Sequence, residues 1–466
     1  MHKRLKFDFF NCSHSLRICS HRKRKYMFYN VLLERIILPI GDFLTGSDVM
    51  KRLKEFKRVV SLPEKDIDEY SKNKLIKILN FATQEIPYYK RQNIEKCDNP
   101  YDWIKSFPIM RKPEIRKNID DLISKPKNMM LFSSTSGSSG EHGILYKDKE
   151  VISTGRALTL LIWEWGGFKL GMPVLQTGIS IKRGLVKSIK DFLFRTEYYN
   201  AFGLSESEAE NLLIKRKKLK NQILIGYASS LYVLADVCVN KDIKNVSFVK
   251  AISLGDKMFP HYRSKIKEAF GCDVSDTYGL SEELTIAAQK DNEFYYILTP
   301  HVYIEILDDF GNEVNDGSIG HVIATSLDAY GMPLIRYDTG DLAIKLPSDR
   351  YPEKRDLMLP LLEKIIGRDT DIVKTRSGKF MIVHFFTGIF EYIPEIKQFK
   401  VVQKELDCME IEYIPGDNFN FSICESIEKK IHDYLQEPFP IFWKEVKEIQ
   451  PTLSGKPQII QSLLVK

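Results

Sequence analysis

The chain carries one loop whose residue types suit phosphate binding. Residues 133–140 read Ser-Ser-Thr-Ser-Gly-Ser-Ser-Gly, a run of six hydroxyl-bearing residues and two glycines. Glycines let a backbone approach an oxyanion closely, and successive N–H groups and hydroxyls surround a phosphate without any charged side chain. The same composition is typical of a flexible linker, so the loop alone leaves both interpretations open. The candidate phosphate ligands are Ser134, Thr135, Ser136, Gly137, Ser138, Ser139 and Gly140.

Four further polar motifs follow this loop along the chain. They are Asp276-Thr-Tyr-Gly-Leu-Ser-Glu282, Arg336-Tyr-Asp-Thr-Gly-Asp341, Gly367-Arg368 and Leu453-Ser-Gly-Lys456. Each one alone has an ordinary structural interpretation, such as a helix N-cap, a hairpin turn or a solvated surface lysine. The order and spacing of all five motifs, rather than any single one, indicate a function.

In that order and spacing, the motifs resemble those of the adenylate-forming superfamily, which includes acyl-CoA synthetases, peptide-synthetase adenylation domains and luciferases. Residues 27–466 are similar to its phenylacetate–CoA ligase/CapK branch. The shared segments are Gly226-Tyr-Ala-Ser-Ser230, Tyr-Gly-Leu-Ser-Glu, Leu-Ile-Arg-Tyr and Ile396-Lys-Gln-Phe-Lys-Val-Val-Gln403. The resemblance implies an AMP-forming acid–thiol ligase that uses ATP and Mg²⁺ to make an acyl adenylate and then acylates coenzyme A. Many members of the branch act in surface-polysaccharide pathways, so a role there is also implied.

The resemblance assigns most of an ATP site. It implies that the serine-rich loop holds the β- and γ-phosphates, that Tyr278 stacks on adenine, and that Ser281 hydrogen-bonds the α-phosphate. Asp341 would accept both ribose hydroxyls, which suits a carboxylate with two acceptor oxygens. Besides the loop, the implied ATP-binding residues are Asp256, Asp276, Thr277, Tyr278, Gly279, Ser281, Asp341, Arg368 and Lys456.

Three charged residues carry the implied catalysis. Adenylate formation brings a carboxylate against the α-phosphate, so positioning and charge neutralisation dominate the rate enhancement. By the resemblance, Glu282 binds Mg²⁺ through oxygen, Arg368 adds a permanent cation near the ribose or α-phosphate, and Lys456 bridges the carboxylate and the phosphate. The family usually has Lys-Pro after the loop, whereas this chain has Glu141-His142, so one neutralising contact is missing.

The resemblance also implies an acyl pocket and an interdomain hinge. The pocket candidates are Tyr227, Ala228, Ser229, Trp163 and Trp165. Aromatic residues at such positions belong more often to a core than to a ligand site. The hinge candidates are Asp369, Thr370 and Asp371, where the usual paired aspartates of the family are not both matched.

Hydrophobic patterning predicts the elements that position these residues. Short β-rich runs alternate with amphipathic stretches over residues 174–276, which is typical of parallel strands with helical crossovers. Over residues 293–346, strands joined by tight turns indicate an antiparallel, barrel-like subdomain. The predicted fold class is therefore α/β. A large domain over 27–368 would contain parallel-rich sheets and that subdomain, and a small mobile α+β lid domain over 369–466 would carry the catalytic lysine.

Length and composition limit the class of protein. At 466 residues the chain exceeds the usual size of one hydrophobic core, and 43% hydrophobic with 28% charged residues is ordinary for a globular protein. No stretch approaches the roughly 18 consecutive apolar residues that span a bilayer. Seven scattered cysteines without a CxxC pair indicate neither a disulfide framework nor a zinc site, so a cytoplasmic location is expected. A monomer and a homodimer both remain open.

The positive charge belongs to one end of the chain. Residues 1–26 hold eight basic residues and one acidic residue, an excess equal to the net charge of +7, so the remainder is balanced and no nucleic-acid partner is expected. Three interpretations of this basic head compete: a tether to an anionic membrane or nucleic acid, a cleaved targeting segment, or translated upstream sequence before a true start at Met27, which we favour. The apolar run over 28–45 predicts a packed helix, with a membrane-surface helix as the alternative.

Two other functions remain open on the sequence. An amine of an amino sugar or amino acid would give an amide, and the motifs do not distinguish a thiol acceptor from an amine. A catalytically silent binding protein agrees with the altered loop, but the presence of all four charged residues of the implied site argues against it. These four are Glu282, Asp341, Arg368 and Lys456. No motif identifies the carboxylic acid.

Overall fold

The structure is a computed structural model. It describes residues 29–135, 143–178, 184–200, 204–255, 257–280, 283–308, 310–365, 372–377, 379–390, 393–416, 418–449 and 459–462. Within these residues, no helix is both long and apolar enough to cross a membrane.

Helices occur throughout the chain. The α-helices are α1 (Leu38–Thr45), α2 (Val49–Val60), α3 (Glu64–Glu85), α4 (Pro87–Lys90), α5 (Pro100–Trp103), α6 (Lys112–Lys117), α7 (Lys149–Trp165), α8 (Leu185–Leu193), α9 (Glu206–Arg216), α10 (Ala228–Asn240), α11 (Pro260–Phe270), α12 (Val383–Phe390) and α13 (Ser422–Leu435). A π-helical turn, Leu33–Ile37, runs directly into α1. Short 3₁₀ turns lie at Ile104–Ser106, Lys127–Met129 and Ser348–Arg350.

The strands fall into two regions, residues 131–365 and residues 372–462. The first region contains β1 (Leu131–Thr135), β2 (Gly143–Lys147), β3 (Val174–Gly178), β4 (Thr196–Asn200), β5 (Ile223–Tyr227), β6 (Lys250–Leu254), β7 (Val274–Leu280), β8 (Leu284–Ala288), β9 (Tyr295–Ile297), β10 (Val302–Leu307), β11 (Ile319–Ser326), β12 (Tyr337–Lys345) and β13 (Leu361–Ile365). The second contains β14 (Ile372–Lys374), β15 (Phe380–Ile382), β16 (Ile396–Gln403), β17 (Met409–Pro415), β18 (Ile441–Glu445) and β19 (Ile460–Ser462).

A single mixed sheet of 11 strands forms the centre of the first region, in the order β10-β11-β12-β13-β9-β8-β7-β6-β5-β3-β4. Its β4-β3-β5-β6-β7 part is parallel, which confirms the parallel strands predicted over 174–276. The central strand β5 reads Ile-Leu-Ile-Gly-Tyr and is buried over its first four residues. A parallel strand covered by helices on both faces is apolar throughout for this reason.

The antiparallel part begins at β7. This strand pairs in parallel with β6 and antiparallel with β8, and the pairs onward to β10 are all antiparallel. Antiparallel pairing over 293–346 is therefore confirmed. Because β7 is paired along both edges, the antiparallel strands in the described residues belong to the same sheet as the parallel strands. The predicted antiparallel subdomain is therefore not a separate sheet.

The C-terminal region has its own sheet, in the order β18-β17-β16-β19, and the β14–β15 hairpin. Its apolar cluster includes Phe386, Phe399 and Ile431, and the same cluster contains Ala228 of α10 and Tyr262 of α11. Apolar packing therefore joins this region to the helices beside β5 and β6. The predicted boundary between residues 368 and 369 lies outside the described residues.

Candidate active site

The site begins with a hydrogen bond between two motif residues. The hydroxyl of Tyr278, on β7, donates to Oδ2 of Asp341, on β12, at 3.0 Å across 63 positions of sequence. The Tyr278 side chain is buried and Asp341 is half-buried. The structure thus brings together the aromatic residue and the carboxylate that the motifs single out.

The irregular stretch of β12 before Asp341, where the pairing with β11 shifts register, is held by its own side chains. Oδ1 of Asp338 accepts from the N–H of Gly340 at 2.8 Å, and Oγ1 of Thr339 accepts from the N–H of Asp341 at 3.1 Å. Gly340 has a φ of 71°, a conformation that favours glycine. Residues 338–341 lie within β12 and form an irregularity in its pairing with β11, not the turn closing a hairpin of the ordinary interpretation, and this irregularity positions the Asp341 carboxylate against Tyr278.

Close packing disfavours a side chain at position 279. A Cβ there would lie 3.0 Å from the carbonyl oxygen of Leu284, and the β7–β8 ladder shifts register between Tyr278 and Gly279. After the turn, Glu283 has a φ of 60°. Such a left-handed backbone in a residue with a side chain is uncommon and is often found at functional turns.

Asp276 is a buried carboxylate whose oxygens are occupied by protein donors. Oδ1 accepts from the hydroxyl of Ser253 and from the N–H of Thr277, and Oδ2 accepts from the hydroxyl of Tyr295 at 2.6 Å. Burial raises the pKa of Asp276, although these hydrogen bonds oppose the rise. The hydroxyl of Thr277 donates to the carbonyl of Ser253 at 2.7 Å. These contacts tie β7 to β6.

An ion pair links the β1–β2 hairpin to the turn after β7. Strands β1 and β2 pair from Leu131–Lys147 to Thr135–Gly143, so the serine-rich loop connects them. Nζ of Lys147, at the end of β2, lies 3.0 Å from Oε1 of Glu283. A Cβ on Gly155 of α7 would collide with the Glu283 carboxylate, so the missing side chain there makes room for this pair.

A second charged network contacts the backbone of the same turn. The Nε2 atom of His301 lies 3.3 Å from the carbonyl oxygen of Glu283, and its Nδ1 lies 2.8 Å from Oδ2 of Asp328. Lys74 of α3 donates to Asp328 at 2.6 Å and to the carbonyl of Pro300 at 2.8 Å. Burial alone would raise the pKa of Asp328, but the charge of Lys74 and the hydrogen bond from His301 lower it to about 2. Asp328 is therefore a carboxylate at neutral pH.

Arg336, the first residue of the Asp341 motif, holds the fold rather than facing the site. It is buried, has a φ of 52°, and places Nε 3.1 Å and Nη2 2.9 Å from the two carboxylate oxygens of Glu305. Its Nη1 donates to the carbonyls of Lys105 and Phe107. These contacts join β12 to β10 and to the segment after α5.

The acyl-pocket candidates lie where β5 ends and α10 begins. Ala228 and Ser229 are buried, whereas Tyr227 is half-buried and its N–H donates to Oγ1 of Thr177. A Cβ on Gly255 would collide with the Tyr227 ring. Tyr227 is therefore packed against the chain just before Asp256.

The tryptophans pack within the large region. Trp163 stands edge-on to Phe168 at 5.5 Å, and Trp165 stands edge-on to Tyr296 at 6.2 Å. Both rings contact other aromatic rings, as the core interpretation of the sequence expected.

Several predicted residues lie outside the described residues. They are Ser136, Gly137, Ser138, Ser139, Gly140, Asp256, Ser281, Glu282, Arg368, Asp369, Thr370, Asp371 and Lys456. For Ser134 and Thr135 the structure describes the strand β1 but not the side chains. Their roles remain predictions.

Sequence reasoning missed five residues that support the site. They are Lys74, Lys147, Glu283, His301 and Asp328. Glu283 could have been found from its position directly after Ser281-Glu282. The other four residues belong to no local sequence motif. Among the described residues, one group has the spacing of metal ligands, namely Glu405, Asp407 and Cys408 in the turn between β16 and β17. Asp407 there is paired with Arg376 at 2.8 Å, and the group is separate from the site on β7 and β12.

Comparison with known proteins gives relatives in both sequence and fold. No protein-family model matches the chain. The chain is 27% identical over 374 residues to Protein CapK of Staphylococcus aureus, covering 77% of this chain and 79% of that protein. It is 23% identical over 342 residues to the phenylacetate-coenzyme A ligase of Pseudomonas putida, covering 69% and 74%.

A solved structure of 2-hydroxyisobutyryl-CoA ligase, in complex with 2-HIB-AMP and CoA in the thioesterification state, has a TM-score of 0.59 and 16% identity, covering 87% of this chain and 92% of that one. At this identity the likeness shows the fold. The chain is thus similar in sequence to CapK and to phenylacetate-coenzyme A ligases, and similar in fold to a solved CoA ligase. These similarities match the resemblance of its motifs to the phenylacetate–CoA ligase/CapK-like branch of the adenylate-forming superfamily.

Proposed function

We propose that the protein is an AMP-forming acid–CoA ligase. In the first step, a carboxylate oxygen of the acid bonds to the α-phosphorus of ATP, the bond to the bridging oxygen of the β-phosphate breaks, and pyrophosphate leaves. In the second step, the sulfur of coenzyme A loses its proton and bonds to the acyl carbon, and AMP leaves with the former acid oxygen. The similarity to ligases named for coenzyme A supports this acceptor.

The observation that carries the proposal is the Tyr278–Asp341 contact. A buried aromatic ring and a half-buried carboxylate lie within one hydrogen bond of each other at the carboxyl-terminal part of β7. Ligands of α/β sheets bind at the carboxyl ends of parallel strands. An aromatic face suits a purine, and a carboxylate accepts from vicinal hydroxyls. We assign adenine to Tyr278 and the ribose to Asp341.

The phosphates are assigned to the loop between β1 and β2. The Lys147–Glu283 ion pair supports this assignment, because it holds the end of β2 against the turn that follows β7. Ser281 is assigned to a hydrogen bond with the α-phosphate, as its position in the motif implies. Arg368 and Lys456 supply the cations that stabilise charge on the α-phosphate in the transition state.

We assign Mg²⁺ to Glu282, because its position in the motif implies this role and a carboxylate oxygen suits a hard divalent cation. The neighbouring Glu283 is engaged by Lys147. When bound, Mg²⁺ supplies charge neutralisation at the phosphates. Asp276 and Thr277, whose described contacts are to β6, β9 and the backbone, hold β7 in position for Tyr278.

The acid is assigned to the side of Tyr227. Ala228 and Ser229 are buried beneath it, so the half-buried ring is the group of the three most accessible to an acyl chain. The C-terminal region over 369–466 is the proposed lid that delivers Lys456, with the hinge at residues 369–371. We further propose that the acid belongs to surface-polysaccharide synthesis, which the similarity to Protein CapK supports.

Acid-dependent release of pyrophosphate tests the proposal. A panel of carboxylic acids is incubated with the full-length protein, ATP and Mg²⁺, first without and then with coenzyme A. The proposal expects at least one acid to give pyrophosphate and AMP, with multiple turnovers when coenzyme A is present. If turnover requires an amine and ignores coenzyme A, the amide ligase is the function. ATP binding without pyrophosphate release for any acid would favour the silent binding protein.

A further inference from the structure

Glu283 has a backbone conformation that glutamate rarely adopts. Its φ is 60°, and it lies between β7 and the first residue of β8, Leu284. A left-handed backbone disfavours a residue with a Cβ, and asparagine and aspartate tolerate it better than glutamate does. A residue persists in this conformation only where its surroundings fix it, and such residues cluster at ligand sites and switch regions. The contacts of Glu283 show what fixes it here.

The side chain of Glu283 is held by an ion pair and by close packing against a glycine. Its Oε1 lies 3.0 Å from Nζ of Lys147, whose own side chain is only 10% exposed. Helix α7 has Gly155 against this carboxylate, and a Cβ there would collide with Oε2. Glycine inside a helix costs stability relative to alanine, and here it leaves room for the carboxylate. Two elements, β2 and α7, therefore fix the Glu283 side chain.

The main chain of Glu283 is held as well. Its carbonyl oxygen lies 3.3 Å from Nε2 of the buried His301. Leu280 and Leu284 are paired across the β7–β8 ladder, so only three residues of the chain connect them. Because each residue has only two soft backbone dihedrals, the conformation of Glu283 sets the direction in which Glu282 joins β8.

We propose that Glu283 is a positioning residue, which holds the neighbouring Glu282 in the orientation that binds Mg²⁺ together with ATP. This inference rests on the proposed function, which assigns Mg²⁺ to Glu282. The contacts with Lys147, Gly155 and His301 fix a strained turn before the ligand arrives, so less conformational entropy is lost when the metal complex binds. Glu283 acts through Glu282, and its own carboxylate stays paired with Lys147.

A double variant of the full-length protein tests this role. Glu283→Gly with Lys147→Met removes both charges together, so neither is left buried without its partner, and glycine adopts a φ near that of Glu283 without strain. We expect the midpoint of denaturant unfolding to stay within error of the wild type. ATP affinity, measured by calorimetry, should stay within about twofold in EDTA and fall by about tenfold or more in Mg²⁺.

A second variant disturbs the same contact without removing a charge. Gly155→Ala places a methyl group where the Glu283 carboxylate lies and should give the same selective loss of affinity in Mg²⁺, and it decides the matter if the double variant is destabilised. The matched control is another left-handed acidic residue paired with a lysine. Asp242, just beyond α10, has a φ of 50° and pairs with Lys244. Asp242→Gly with Lys244→Met should bind ATP like the wild type in both conditions.

The outcomes separate this role from the proposed function. These binding measurements need no acid, so they stand whether or not acid-dependent pyrophosphate release is found. A wild type that binds ATP equally in Mg²⁺ and EDTA would overturn the Mg²⁺ assignment, and the positioning role with it. If the wild type binds more tightly in Mg²⁺ and the variants keep that whole gain, the positioning role alone is overturned. Equal losses in Mg²⁺ and EDTA would also overturn it, because a residue that only stabilises the fold has no selective effect on the metal complex.

Discussion

Two aspartate carboxylates lie at β7, and their surroundings differ. Asp276 is part of the strand, and Asp341 contacts it from β12. Asp276 is buried, and Ser253, Tyr295 and the N–H of Thr277 donate to its oxygens. Asp341 is half-buried, next to the ring of Tyr278. A carboxylate saturated by protein donors is suited to holding strands together, whereas a half-buried one beside an aromatic ring is suited to a ligand. Proximity within a motif does not distinguish these two uses, whereas the burial of the carboxylate does.

The same contrast divides the charged residues of the whole site. Arg336 and Asp328 are buried in ion pairs with other side chains of the protein and support the strands and the turn. We assign Arg368 and Lys456, like Asp341, to contacts with the ligand, and we call these residues the ligand side of the site. The buried residues that pair with other protein groups are its fold side. Ligand-side substitutions should change binding or rate and leave stability alone, and substitutions on the fold side should do the reverse.

The largest expected effect is on the ligand side. Lys456→Ala should reduce acid-dependent pyrophosphate release by about 10² or more, because a cation is removed from transition-state charge. Thioester formation from supplied acyl adenylate and coenzyme A should stay close to the wild-type rate, and the free energy of unfolding should not change. Equal loss in both half-reactions would remove the role assigned to Lys456.

The largest effect on the fold side is expected at Asp328. Asp328→Asn leaves Lys74 and His301 without their buried carboxylate, which should cost about 3–5 kcal/mol of unfolding free energy. Denaturant titration measures this, with Asp341→Asn as the matched control. A cost below that of the control would show that the network does not stabilise the fold.

Asp328 also predicts a pH dependence. Its folded-state pKa of about 2 lies below the ordinary value for aspartate, so its contribution to stability is complete above about pH 4 and is lost as the pH falls toward 2. The difference in unfolding free energy between the wild type and Asp328→Asn should therefore shrink across that range. A constant difference from pH 5 to acid would contradict the assigned cause.

A smaller effect is expected at Asp276. In Asp276→Asn, an amide N–H₂ replaces an oxygen that accepts from Ser253 or Tyr295, so a buried donor loses its partner at a cost of about 1–3 kcal/mol. Nucleotide affinity of the folded variant should stay within a few-fold of the wild type. A selective loss of ATP affinity with normal stability would move Asp276 to the ligand side.

The smallest effect is expected for Tyr278→Phe, which keeps the ring and removes the hydroxyl that donates to Asp341. One hydrogen bond of this kind contributes about 0.5–1.5 kcal/mol, so ATP affinity should fall only a few-fold. Tyr278→Ala, which also removes the aromatic face, should weaken ATP binding further. Equal affinities of the two variants in a nucleotide titration would argue against stacking.

The sequence predicted the features that are encoded by short, continuous stretches of residues. Alternating apolar runs marked the parallel strands, and the motifs singled out Tyr278 and Asp341, which the structure joins by a hydrogen bond. It did not predict the supporting pairs Lys147–Glu283 and Lys74–Asp328, which are 136 and 254 positions apart. Such pairs depend on how strands and helices are arranged in space, and no local spacing encodes them.

The first helical segment shows a second limit. An apolar run over 28–45 left a packed helix and a membrane-surface helix as alternatives. In the structure Leu33 packs against the core while Phe43 and Leu44 are exposed, so the packed-helix prediction is confirmed for the beginning of the segment, and its end is not covered by the described residues. A hydrophobicity pattern reports which residues are apolar, and only the packing shows which of them are covered.

The central claim is that Asp341 binds the ribose of ATP, and a calorimetric cycle tests it most directly. ATP and 2′,3′-dideoxy-ATP are each titrated into the wild type and into Asp341→Ala. Either change alone should weaken binding by about 1–3 kcal/mol, and the second change should then add little, because both remove the same hydrogen bonds. Unchanged ATP affinity in Asp341→Ala, or fully additive losses, would contradict the assignment of the ribose to Asp341.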